Sequence, residues 1–203
     1  MGRIERREKE KLEMRRNILD AAMKLFIEEG YDNVSIRKIA EKIEYSPSTI
    51  YLYFRDKDAI FFELHTMGFI ELLTHQEEVQ SISDPKERLL AHGRAYLQFS
   101  FDHPELYDIM FIVRSPGDEI VKSMDWESGD RAYDLLKKNV RECLEAGYFE
   151  GQNVDALAFF LWSTMHGIAS LHIRHRLVVL TMRQADEHTI VEGVMNLLRE
   201  FIR

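Results

Sequence analysis

Cysteine is almost absent: Cys143 is the only one in 203 residues. A single thiol cannot close an intramolecular disulfide, so nothing in the cysteine use points to an oxidising compartment. Proline and glycine are scarce too, at four and ten. Most stand at segment edges, which suits an all-helical protein with short connections. The N-terminus, MGRIERREKEKLEMRR, has no apolar h-region, so no signal peptide is expected. The longest uncharged run, Ala156–Ile173, is 18 residues, near the lower length for a membrane span. It carries Ser163, Thr164, His166, Ser170 and His172, which are costly in lipid. It therefore reads as a buried helix of a soluble, cytoplasmic protein with no membrane partner. No nucleophile–base pair, paired carboxylates or metal-ligand spacing is recognisable, so no catalytic residue, metal or cofactor is expected. His172 and His175 could share a helix face as metal ligands do, but Arg174 and Arg176 flank them, and they read as surface residues.

What is present is charge, unevenly placed. The net charge is −8, from 27 Lys+Arg and 35 Asp+Glu, which alone speaks against a phosphate-binding surface. Residues 1–60 hold 13 basic and 12 acidic residues (13 − 12 = +1), and residues 61–203 hold 14 and 23 (14 − 23 = −9). All eight histidines lie in the second part. Two differently charged parts are expected, 1–60 and 61–203.

Helical spacing runs through the chain. Ile18, Leu19, Ala22, Leu25 and Phe26 share one face of a first helix that stops at Gly30. Its leading stretch, Arg3 to Arg16, has seven basic and four acidic residues and reads as a solvent-projecting end. Ser35 caps a short one-sided helix with Ile36, Ile39, Ala40 and Ile43 inward. Ser46-Pro47 opens the next, about Pro47–Phe54, with Ile50 and Phe54 inward. Asp56 caps a longer helix from Lys57. Asp84-Pro85-Lys86-Glu87 caps a helix to about Phe101, followed by a short one over Pro104–Ile112. A helical stretch then runs to Gly147, with an interruption expected near Ser128-Gly129. Asn153 caps the apolar helix to about His175. The last helix, about Asp186–Phe201, aligns Ile190, Val191, Val194, Leu197, Leu198 and Phe201. That stripe must be covered by the body or by a twin, with Leu161 and Ile168 adding to it from the preceding helix.

The pair Ser35–Lys42 and Pro47–Phe54, joined by a tight turn, is a helix-turn-helix candidate. With Ile50 and Phe54 inward, Ser48, Thr49 and Leu52 point outward, with Tyr51 and Tyr53 on the flanks. Short polar side chains allow close approach to base edges, and tyrosine hydroxyls can donate to phosphate oxygens. Lys57, at a helix N-terminus, stands where an anion is favoured.

Ser35-Ile36-Arg37-Lys38-Ile39-Ala40, Tyr45-Ser46-Pro47-Ser48-Thr49-Ile50-Tyr51-Leu52-Tyr53-Phe54 and Asp56-Lys57 resemble the DNA-binding domain of the tetracycline-repressor (TetR) family, over about Leu12–Phe62. The resemblance implies a dimeric, all-α regulator of about nine helices, with a three-helix head and a helical bundle for ligand binding and dimerisation. By position, Arg37, Pro47, Ser48 and Thr49 match its base-reading places, and Ser35, Tyr51, Tyr53 and Lys57 its phosphate-binding places. Glu44 stands where many relatives have glycine, as does Ser48 early in the recognition helix. The run Phe160–Leu171, with Trp162, His166 and Gly167, resembles a C-terminal subgroup marked by a Trp…His-Gly pattern.

Between Tyr96 and Met165 aromatic and sulfur-containing residues are dense, as in a core or a pocket. The candidate pocket set is Tyr96, Met110, Phe111, Trp126, Tyr133, Trp162 and His166. The implied partners are a pseudo-palindromic double-stranded operator, a second copy of the chain and a small, mainly apolar effector. The alternative is a body that answers to a protein partner. The expected activity is transcriptional repression, not catalysis.

Overall fold

The computed structural model describes residues 2–114, 127–178 and 186–202, with the backbone alone for Arg3, Ile4 and Glu187. Nine α-helices and no strand occur among the described residues: α1 (Arg3–Glu29), α2 (Ile36–Lys42), α3 (Pro47–Tyr51), α4 (Lys57–Glu78), α5 (Pro85–Asp102), α6 (Pro104–Phe111), α7 (Glu127–Glu145), α8 (Val154–Ile173) and α9 (Glu187–Phe201). Their boundaries follow local chemistry. Ser35, Ser46, Asp84, Asn153 and Asp186 each accept a hydrogen bond from a backbone N–H of the first turn, and Asp56 Oδ1 accepts from Ala59 N at 2.7 Å. Helix α7 begins at Glu127, beside the interruption expected near Ser128-Gly129, and the residues just before it lie outside the described ones. Helix α7 runs through both, with Gly129 buried inside it.

The chain divides into two compact units. Unit 1 is Met1–Gly68 with Glu105–Trp126, and unit 2 is Phe69–Pro104 with Glu127–Arg203. Helix α4 gives its first half to unit 1 and its second to unit 2.

The core of unit 1 gathers Ile18, Ala22 and Phe26 from α1, Ile39 and Ala40 from α2, and Ile50 and Phe54 from α3 and its exit. Ile60, Phe61 and Leu64 join from α4, and Ile109 from α6. Phe26, Tyr31 and Phe61 meet pairwise at centroid distances of 5.1–5.6 Å. That aromatic knot fixes the α1 exit against α4. Gly68 lets α4 pass close to α6: a Cβ there would press on the flexible Met110 side chain.

In unit 2, α5 packs against α7, α8 and α9. The buried residues of these helices are Leu89, Leu90, Tyr96, Leu97 and Phe99 of α5, Leu136 and Val140 of α7, Leu157, Leu161 and Met165 of α8, and Met195 and Leu198 of α9. Arg94–Glu192 and Arg199–Glu87 pairs tie α9 to α5, and Lys86 Nζ donates to Ile202 O at 2.8 Å. Cys143 is buried and donates to Pro85 O at 3.2 Å; burial pushes its thiol up to about 11, so it is a packing group.

Helix α8 corrects the expectation of a buried helix. By length and composition it could cross a membrane, the one such helix among the described residues. One face (Leu157, Ala158, Leu161, Met165, Ala169) is buried, but Phe159, Phe160 and Leu171 are exposed. Leu161 therefore serves its own core. The stripe of α9 also splits: Leu198 is buried, Ile190, Val191 and Val194 are half-buried, and Leu197 and Phe201 are exposed, while Met195, outside the stripe, is buried.

A polar chain lies inside unit 2. Arg88 Nε donates to Asn139 Oδ1 at 3.3 Å, and Asn139 Nδ2 lies 3.1 Å from His92 Nδ1. Arg88 also pairs with Glu142. With Nδ1 accepting, His92 is held neutral, and burial lowers its pKa to about 4. An unfolded chain takes up this proton near the ordinary value of about 6.5. The stability that neutral His92 contributes is thus complete above that pH and is lost as pH falls toward about 4. Between pH 7.5 and 5, urea unfolding should show about 2 kcal/mol lost through this group. His92→Gln should remove that part of the pH dependence; an unchanged pH slope would contradict the assignment.

Candidate functional site

Helices α2 and α3 meet through a turn that closes α2 as a Schellman motif. Tyr45 N donates to Ala40 O at 2.9 Å and Glu44 N to Glu41 O at 3.2 Å. The geometry demands a left-handed residue at Glu44, and its φ is 61°. The glycine-type turn is kept without the glycine, at a conformational cost of about 1–2 kcal/mol.

The sequence places α3 as far as Phe54, but the regular helix ends at Tyr51. Ser46 Oγ accepts from Thr49 N at 3.3 Å and lies 2.6 Å from Ser48 Oγ and 3.0 Å from Thr49 Oγ1. This hydroxyl cluster preorganises the start of the helix. Ile50 is wholly buried and Phe54 nearly so, while Pro47, Ser48, Tyr51 and Leu52 are exposed and Thr49 and Tyr53 half-buried. Of the side chains the helical wheel points outward, Ser48 and Leu52 are exposed and Thr49 is half-buried, while Tyr51, placed on a flank, is exposed.

The charged groups around it are committed within unit 1 to different degrees. Arg37 pairs with Glu41 at 2.9 Å on the exposed side of α2, and Lys38 pairs with Glu29. Ser35 Oγ is used as the α2 cap. Lys57 Nζ donates to Tyr31 O at 2.9 Å and sits 4.0 Å from the Tyr31 ring centroid. Its ammonium is thus engaged inside the unit. Tyr31 in turn donates its hydroxyl to Asp58, and burial with that carboxylate raises its pKa above the ordinary tyrosine range.

Two residues escaped the sequence reading. Arg15, taken there as part of a projecting basic stretch, folds back: it pairs with Glu63, donates to Tyr53 O at 3.1 Å and lies 4.4 Å from the Phe54 ring centroid. Its four-residue spacing from Leu19, on the buried face of α1, was the available signal. Tyr45, exposed beside the turn, adds a hydroxyl next to α3. The start of α1 is regular helix, with exposed pairs Arg6–Glu10 at 2.9 Å and Lys9–Glu13 at 3.7 Å.

Four of the seven candidate pocket residues come together in unit 2. Tyr96 Oη lies 3.1 Å from His166 Nδ1, and the Trp162 ring lies 6.1 Å from His166 and 6.2 Å from Tyr133. Burial, then Arg174, lowers the His166 pKa and favours neutral imidazole. Met110 and Phe111 belong to unit 1, where the Phe111 ring lies tilted against Tyr107 at 5.2 Å. Trp126 lies outside the described residues.

Comparison with known proteins bears on both parts. Residues 18–64 match the model for bacterial regulatory proteins of the tetR family, and residues 89–197, more than half of the chain, match that for the tetracyclin repressor-like C-terminal domain. The chain belongs to the TetR family. As such it is a transcriptional regulator with a DNA-binding helix-turn-helix. The C-terminal match does not name a Trp-His-Gly subgroup.

The HTH-type transcriptional regulator HbdR of Aromatoleum sp. (strain CIB) is 28% identical to this TetR-family chain over 166 residues, 79% of this chain and 70% of that protein. The HTH-type transcriptional repressor Rv1474c of Mycobacterium tuberculosis is 48% identical over 50 residues, 25% of this chain and 27% of that one. FadR from Bacillus subtilis, solved in complex with stearoyl-CoA, superposes with a TM-score of 0.70 at 21% identity, covering 92% of this chain and 98% of its own. At that identity the likeness is one of fold.

The left-handed Glu44 gives a direct test of the TetR-family turn. Glu44→Gly removes the steric cost but adds unfolded-chain entropy, for a net gain of about 0.5–1 kcal/mol. Chemical denaturation should show that gain, and a variant less stable than the parent would contradict the turn geometry.

Proposed function

We propose that this chain is a repressor that binds a pseudo-palindromic operator as a homodimer and is released when a small, mainly apolar effector enters the C-terminal part. The observation that carries the reading is the division of α3, with Ile50 wholly buried while Ser48, Tyr51 and Leu52 are exposed. An exposed helix edge of small and hydroxyl-bearing residues fits a major groove. In this reading residues 1–60 are the DNA-binding part and 61–203 the effector and dimerisation part. Arg37, Pro47, Ser48 and Thr49 read bases, and Ser35, Tyr51, Tyr53 and Lys57 hold phosphates. Lys57 is a poor probe, because its removal also strips Tyr31 of a contact. Arg37 and Tyr51 are clean ones, since both are exposed.

The test uses DNA selected by the protein from a random double-stranded pool. Tyr51→Phe should weaken selected and scrambled DNA alike, by about fivefold or more, because a phosphate contact carries no sequence information. Arg37→Ala should weaken the selected site more than the scrambled one, by about 1–3 kcal/mol. If both variants bind as the parent does, the contact assignment is wrong.

A second copy is drawn to α8 and α9. Phe160 and Phe201, with rings 5.5 Å apart, and Leu197 are exposed there. A Cβ at Gly167 or Gly193 would meet nothing within 4 Å, so another helix could approach closely. An uncovered patch of this kind favours association. The protein-partner alternative draws on the same surface. Sedimentation should give a dimer at micromolar concentration and a monomer for Leu197→Asp; a monomeric parent would favour the alternative.

The effector reading rests on Tyr96, Tyr133, Trp162 and His166, an aromatic group with a hydroxyl–imidazole pair. The same fold houses an acyl-CoA in the B. subtilis regulator. Release requires the effector to prefer the non-DNA-binding state, since equal affinity shifts nothing. Trp162→Ala should abolish the thermal shift given by an apolar hit from a ligand screen while leaving DNA affinity intact.

A further inference from the structure

In unit 2 the fold brings Glu71, His75 and His103 together. One donor atom from each lies within 4.8 Å of the other two. Glu71 Oε1 stands 3.7 Å from His75 Nδ1 and 3.5 Å from His103 Nε2. We propose that Glu71, His75 and His103 form a binding site for a divalent transition metal of the zinc class.

The local architecture supports it. Glu71 and His75 are four residues apart on α4, so their side chains share a face. His103 caps the C-terminus of α5, where the backbone φ of −130° and ψ of 57° leave the helix. The two imidazoles flank one wholly buried ring: Phe99 lies 6.1 Å from His75 and 5.8 Å from His103. An apolar backing limits rotation of both rings, and the groups are half-buried, reachable from solvent yet partly desolvated.

The donor chemistry fits. Two imidazole nitrogens and one carboxylate oxygen suit zinc and its neighbours, and the set lacks the all-oxygen character that calcium or magnesium requires. Tetrahedral zinc with bonds of about 2.0–2.1 Å separates its ligand atoms by about 3.4 Å. Two of the separations here are within a few tenths of an ångström of that. His75 Nδ1 also lies 3.0 Å from the Glu71 carbonyl oxygen. The 3.7 Å separation is from Nδ1, so the site uses the tautomer protonated on Nε2, and the Nδ1 lone pair turns from the Glu71 carbonyl to the ion. Three protein ligands leave a fourth position for water or an exogenous donor.

The competing reading is a charge cluster in which Glu71 merely steadies two histidines. Titration of tag-free, chelator-treated protein with ZnCl2, followed by calorimetry and metal analysis, separates the two. The proposal expects one tightly held zinc per chain and a rise in melting temperature on zinc addition. Co2+ should give visible absorption in the same protein. His103→Gln and Glu71→Gln should each weaken zinc binding by more than about 100-fold, beyond the 10–100-fold that a supporting group costs. His188→Gln, an exposed histidine on α9, should change nothing. Absence of saturable uptake, or uptake unaltered in both the His103 and Glu71 variants, would overturn the site. If one variant fails to fold, the other decides.

Discussion

A five-residue helix has no stability of its own, because helices shorter than about 12–15 residues are marginal in water. Helix α3 exists because Ile50 is driven completely into the core of unit 1 and Phe54 follows it. That burial fixes the rotation of the helix, and so decides that Ser48, Tyr51 and Leu52 face out. The supports are arranged around the same point. Ser46 caps the first turn, the left-handed Glu44 sets the angle of entry, and Arg15 reaches back from α1 to the Tyr53 carbonyl and the Phe54 ring. A surface that meets DNA needs such preorganisation, because every freely rotating group adds an ordering cost to association.

Charge acts on a longer scale than these contacts. The N-terminal 60 residues are close to neutral at +1, and the remainder carries −9. Several exposed basic groups of the first part are paired with carboxylates four residues away, as in Arg6–Glu10 and Arg37–Glu41. Exposed pairs of that kind are weak, roughly 0.3–0.5 kcal/mol, so a phosphate can compete for the same cation. The acidic remainder repels DNA and lowers non-specific binding at physiological salt. A net charge of −8 is thus compatible with a regulator that engages DNA through one small surface.

Much of this was legible in the sequence because it is local. Caps lie within three residues of what they cap, and Ser35, Ser46-Pro47, Asp84-Pro85, Asn153 and Asp186 each marked a helix start correctly. The inward pair Ile50 and Phe54 follows from periodicity, and the family resemblance marked Glu44 as the turn position where many relatives have glycine. What was missed depends on distant residues. Nothing near Lys57 tells that its ammonium turns to Tyr31, or near His103 that Glu71 and His75 come beside it. The apolar stripe of α9 looked like one face, but its residues divide between α5 and solvent, because core geometry and not hydrophobicity alone allocates them.

The central claim is that α3 engages a two-fold DNA site. Hydroxyl-radical footprinting on the DNA upstream of the protein's own gene tests it most directly. The account predicts symmetric protections whose centres lie about 10–10.5 bp apart, or a multiple of that, across a pseudo-palindrome. A uniform loss of cleavage with no two-fold pattern, or a single unpaired patch, would contradict it.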